Sequence, residues 1–152
     1  MGGAGTMIAQ TIQLALAPVF VLVAIGNIMN ILSGRLGRVV DRSRHLQKLH
    51  PETQGMDHDA IVREIRLADS RIALIGRAML LLVLSGLTIG LTVALLFLEE
   101  FAHIGLQPLA AGCFILAIGL LMAALLLFLK ETREATAALR IPRELLELDR
   151  KL

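Results

Sequence analysis

Residues 78–98 and 104–129 contain no Asp, Glu, Lys or Arg. A helix of about 20 apolar residues crosses a bilayer, because in hydrocarbon each backbone N–H and C=O must find its partner inside the segment. These stretches, 21 and 26 residues long, meet that length. A third uncharged run reaches from the N-terminus to Gly34, with an apolar part at 12–32 that contains Pro18, Gly26, Asn27 and Asn30. Three membrane helices are therefore expected. The first is expected to be retained and not a signal peptide, since no Lys or Arg precedes Arg35. With 56% of its residues hydrophobic, the chain exceeds the roughly 45–50% of soluble domains. That argues against a soluble enzyme, a disulfide-stapled secreted domain and a disordered tail. The one cysteine, Cys113, lies mid-span as a small apolar residue.

Charge asymmetry sets the expected orientation. Nine of the fifteen Lys and Arg fall between 35 and 77, six fall between 130 and 152, and the turn at 99–103 has none. The positive-inside rule then places the 35–77 segment and the C-terminus in the cytoplasm and the N-terminus outside. The expected order is one membrane domain over 1–152: a first span at about 10–34, a cytoplasmic helical hairpin at 35–77, a second span at about 78–98, an external turn at 99–103, a third span at about 104–129 and a cytoplasmic C-terminal helix at 130–152. The fold class is all-α and integral to the membrane.

Within the hairpin, Leu36, Val39, Val40, Leu46 and Leu49 have helical spacing. His50-Pro51 ends that helix, because the residue before proline avoids the helical region. The next helix begins near Asp57 or Asp59 as N-cap. It carries Ile61, Ile65, Ala68, Ile72 and Ile75 at steps of four and three, a coiled-coil seam. The result is an antiparallel stalk roughly 25 Å long. Folding about residues 54–55 sets Arg38 near Asp69 and Asp41 near Arg71, so interhelical ion pairs are expected there.

Two motifs carry a resemblance. The stretch Gln13-Leu14-Ala15-Leu16-Ala17-Pro18-Val19-Phe20, and Ile25-Gly26-Asn27 leading to Gly34-Arg35-Leu36-Gly37-Arg38-Val39-Val40-Asp41-Arg42, resemble the bacterial family known as domain of unknown function 2721. The resemblance covers about 13–130. It implies a small three-helix bacterial membrane protein and supplies no activity, cofactor or catalytic residue; the expected location is the bacterial inner membrane.

The polar groups inside the first span are the most informative. At a 3.5-residue step it reads Gln10, Gln13, Ala17, Phe20, Ala24, Asn27, Ile31, Gly34, Arg38 and Asp41, with Asn30 flanking. Amides in hydrocarbon need partners. Packing within the chain, a subunit interface, or the wall of a water-filled pore in a ring of chains would each supply them. In a pore, Asn27 and Asn30 form neutral constrictions, and Arg35 and Arg38 ring the cytoplasmic mouth and favour anions if unpaired. The second span carries Gly86, Gly90 and Ala94 at four-residue steps, a small-residue stripe suited to close helix packing.

No zinc-ligand spacing is present, although His50, Asp57 and His58 share the hairpin turn and His103 adjoins Glu99 and Glu100. There is no phosphate loop or nucleophile elbow, so neither catalysis nor a cofactor is expected. The basic residues lack aromatic neighbours, which argues against nucleic acid. Beside a membrane they suit anionic headgroups. Leu145, Leu146, Leu148 and Leu152 give the tail an amphipathic face. The expected function is a homo-oligomeric membrane assembly, with an ion-conducting ring lined by the first span as its sharpest form. The alternative is a non-conducting accessory or scaffold subunit of a larger complex.

Overall fold

The computed structural model describes the backbone of residues 3–102 and 104–138. All regular structure among them is helical: α1 over Gly3–Leu49, a single 3₁₀ turn at His50–Glu52, α2 over Met56–Ala102 and α3 over Gln107–Ala138. All three are long and apolar enough to cross a membrane. The chain is a multi-pass membrane protein.

The first two helices run unbroken from span to hairpin. At 1.5 Å per residue, 47 residues measure about 70 Å, more than twice a hydrocarbon core of about 30 Å. Pro18 lies inside α1 without ending it. His50-Pro51 does end it, one residue after Leu49. Gly55, at φ 65°, takes the left-handed conformation that turns the chain back. Neither expected N-cap acts as one. Met56 opens α2, so Asp57 and Asp59 fall in the first turn, where carboxylates favour the positive end of the helix dipole. The amide of Asp59 donates to the Gly55 carbonyl at 3.2 Å. At the other end α2 outruns the expected external turn and stops at Ala102, while α3 starts at Gln107 with Pro108 in its first turn, where a missing N–H leaves nothing unsatisfied. The expected C-terminal helix past 138, and His103, lie outside the described residues.

The packing is heptad-based throughout. On α2, Ala68, Ile75, Leu82 and Ile89 recur every seven residues, and so do Ala78, Ser85 and Thr92; all are buried. The hairpin seam read from Ile61 to Ile75 is the start of this buried row. On α3 the row is Ala110, Ala117 and Ala124. On α1 it is Ile25, Leu32, Val39 and Leu46. A strict seven-residue repeat keeps one stripe facing its neighbour when helices supercoil left-handed. α2 packs along both other helices and is the centre of the bundle. Large apolar side chains such as Phe20, Leu87, Ile115 and Leu126 stay exposed, as a lipid-facing surface requires.

Candidate functional site

Three polar features stand out against this apolar frame. The first joins all three helices. Glu131 of α3 is fully buried. Its Oε2 accepts from Arg35 Nη1 of α1 at 2.6 Å, and its Oε1 accepts from Arg71 Nε and Nη2 of α2 at 3.1 and 2.8 Å. Arg35 Nη1 also donates to Thr132 Oγ1 at 3.1 Å, and the Arg35 guanidinium stacks 5.0 Å from the Phe128 ring centroid. One buried carboxylate thus holds two half-buried guanidinium groups. A lone buried charge is expensive, and only such pairing makes the site tolerable.

The second feature adjoins the first. A cleft of about 830 Å³ opens between the helices, with Arg35, Arg38 and Arg42 of α1 on one wall and Arg71 of α2 on another. Arg42 is engaged: its Nε and Nη2 donate to the two Glu64 oxygens at 2.7 and 3.0 Å. That carboxylate holds the Arg42 guanidinium above its usual range, first through the hydrogen bond and then through direct charge attraction.

The third feature is the polar stripe of α1. All ten positions from Gln10 through Gln13, Asn27, Gly34 and Arg38 to Asp41 are exposed, and so is Asn30. The reason is rotational. Every stripe residue lies one or two positions from a buried residue of α1, which at 3.6 residues per turn sets it about 100–160° around the helix. The seam takes α1 onto α2, and the polar stripe points away from both partners except at Arg38, which lines the cleft. Packing among the described residues does not cover it.

The same rotation explains why the expected ion pairs do not form. The helix register is close to the expected one: Thr11 reaches Glu100 at 3.3 Å, Arg42 reaches Glu64, and Leu22 lies by Gly86. Arg38, Asp41 and Asp69, however, all lie on exposed faces, so equal height does not bring Arg38 to Asp69 or Asp41 to Arg71. Arg71 instead turns to Glu131. The small-residue stripe of α2 is also split. A Cβ on Gly86 would meet Leu22 Cδ2 at an ordinary 3.7 Å, nothing lies within 4 Å of that position on Gly90, and Ala94 is exposed. Close backbone approach is not what this stripe provides inside the chain. At the hairpin turn the His50 and His58 rings meet at 4.5 Å between centroids. Among the described residues no three His, Cys, Asp or Glu side chains converge as metal ligands.

The family described as protein of unknown function (DUF2721) matches residues 15–141. The chain belongs to that family. Neither a curated protein nor a solved structure matches it. For this DUF2721 chain the geometry above therefore carries the functional argument.

Sequence reasoning missed Glu131. The signal was there, since Glu131 stands seven residues after Ala124 and continues the row Ala110, Ala117, Ala124. A carboxylate on the extension of a buried row needs cationic partners, and Arg35 is the first charge after the uncharged run of α1.

Proposed function

We propose that the chain is a homo-oligomeric protein of the bacterial inner membrane, assembled through the polar stripe of α1, with the hairpin and C-terminus in the cytoplasm. One observation carries this reading: Gln13, Asn27 and Asn30 are exposed on a helix long and apolar enough to span the membrane. Facing lipid, each amide would forfeit water without gaining a partner, at a penalty of about 1–3 kcal/mol each. A second copy of the chain supplies partners by symmetry, because an interface around a closed axis brings the same stripe to itself.

A ring of several copies sets Asn27 and Asn30 around its axis. Arg38 then rings one mouth and favours anions. In this form the assembly conducts ions and performs no catalysis. The alternative, an accessory or scaffold subunit, draws support from the hairpin, where α2 has 22 residues (56–77) before the uncharged stretch begins. Such a stalk suits contact with a larger complex.

The deciding measurement is protein mass in mild detergent, by light scattering corrected for bound detergent. A closed assembly of several 16.5 kDa chains, dissociated by replacing Asn27 and Asn30 with Leu, supports the stripe as interface. A monomer, or a chain that co-purifies with something larger, overturns self-assembly. Conduction is tested by Asn27→Cys in a Cys113→Ala background. A water-soluble thiol reagent labels that position in a wet pore and spares it in a dry interface.

A further inference from the structure

The cleft beside Glu131 is built from all three helices of one chain and needs no second copy, although it shares Arg38 with the α1 stripe of the proposed interface. Four arginines and two glutamates line it. Glu131 beneath them absorbs Arg35 and Arg71, Glu64 absorbs Arg42, and Glu134 lies 3.9 Å from Lys130. Arg38 remains. It is exposed, and no described residue pairs or hydrogen-bonds with it. Around it stand donors and acceptors with capacity left. Arg71 uses Nε and Nη2 on Glu131, which leaves Nη1, and Thr132 accepts from Arg35 and keeps its own hydroxyl proton to donate, whereas Ser70 and Thr136 donate theirs to backbone carbonyls. An arginine fork with a neighbouring guanidinium N–H and a hydroxyl matches a tetrahedral oxyanion, which accepts several hydrogen bonds at once.

Height in the bundle narrows the ligand. The uncharged run of α1 ends at Gly34 and that of α3 at Leu129. The cleft begins with Arg35 and Thr132, within three residues of those ends. If the uncharged runs fill the hydrocarbon, the cleft opens at the level of lipid phosphates. On its membrane side Phe128 and Leu129 stand seven residues before the cleft residues Ala135 and Thr136, and Leu129 is 50% exposed. A free anion has no use for that apolar surface, whereas the acyl chains of a phospholipid cover it.

We infer that this cleft binds an anionic glycerophospholipid, its phosphate held by Arg38 and the free donor of Arg71 and its acyl chains running toward the bilayer past Phe128 and Leu129. The test is native mass spectrometry of the full chain released from detergent doped with phosphatidylglycerol or with phosphatidylcholine. The wild type is expected to retain one phosphatidylglycerol per chain in preference to phosphatidylcholine. Arg38→Gln is expected to weaken that retention about tenfold, as loss of a charge-assisted contact does. Arg63→Gln, on an exposed hairpin position outside the cleft, is expected to behave as wild type. Ser70→Phe, which fills the cleft without removing a charge, is expected to lower retention as well. Equal retention of the two lipids, or wild-type retention in both cleft variants, overturns the inference. Displacement of the lipid by millimolar inorganic phosphate assigns the site to a free oxyanion and overturns it too.

Discussion

Glu131 is where a single side chain decides most. Its carboxylate is fully buried while its two arginine partners stay about 30% exposed, so the carboxylate depends on the cations more than they depend on it. Glu131→Gln keeps the shape and removes the charge, leaving Arg35 and Arg71 facing each other. Breaking a buried pair in this way costs on the order of 3 kcal/mol, and thermal unfolding in detergent should show a clearly lowered Tm. Arg35→Gln and Arg71→Gln should each cost less, because the other arginine still holds Glu131. Their double variant should exceed the sum of the two, since the last partner is lost only then. A Tm unchanged by Glu131→Gln would refute the clamp. At this scale the sequence was half legible. Asn27 and Asn30 announce themselves as amides among Leu, Val and Ile. Glu131 sits among Lys130, Arg133 and Glu134 and reads as one more solvated charge until its place on the alanine row is noticed.

Among the helices, the α2–α3 contact rests on small residues, and besides the Arg71–Glu131 pair its polar tie among the described residues is one bond within the spans. Ser85 Oγ donates to the Ala117 carbonyl at 2.7 Å, fully buried. Interhelical hydrogen bonds of this kind contribute about 0.6 kcal/mol on average in membranes, so Ser85→Ala should be mild. Ala117→Leu should be worse by far. It forces three extra carbons into a fully buried position, and overpacking of that kind costs roughly 1–3 kcal/mol; chemical unfolding in detergent ranks the two. If Ser85→Ala proves the worse, packing is not what holds α3. The Arg42–Glu64 pair is different again. It is about half exposed on both sides, and such pairs contribute roughly 0–1 kcal/mol. The raised Arg42 value means that its share of stability is whole at neutrality and is lost only in strong base, as pH climbs through the folded value. Stability should therefore show no Arg42–Glu64 dependence around neutrality, and Glu64→Gln should lower it slightly and equally on either side of pH 7. Helix ends at His50-Pro51 and the seam of α2 were legible because proline chemistry and a seven-residue repeat are local signals. The ion pairs were not, because pairing needs helix rotation as well as register, and a register sum is silent about rotation.

For the whole molecule, α1 is a helix with two faces, one committed to α2 and one left open. Burial along Ile25, Leu32, Val39 and Leu46 satisfies the chain's own core, so the stripe through Asn27 is surplus to folding. Polar groups on a lipid-facing side gain by being covered, and the proposed interface is the arrangement in which another copy does so. Whatever covers them, the orientation of the bundle decides what the hairpin can meet. All nine basic residues of 35–77 lie toward one end, and moving that end to the outer face would carry them across the bilayer against the potential. Met56 is the natural probe. It opens α2 beside the turn and is 88% exposed, so Met56→Cys in a Cys113→Ala background puts one accessible thiol at the hairpin tip. A membrane-impermeant maleimide should label it in inside-out vesicles and leave it unlabelled in intact spheroplasts. Labelling only in spheroplasts would reverse the orientation, move the arginine cleft to the outer leaflet and leave the hairpin facing away from any cytoplasmic partner.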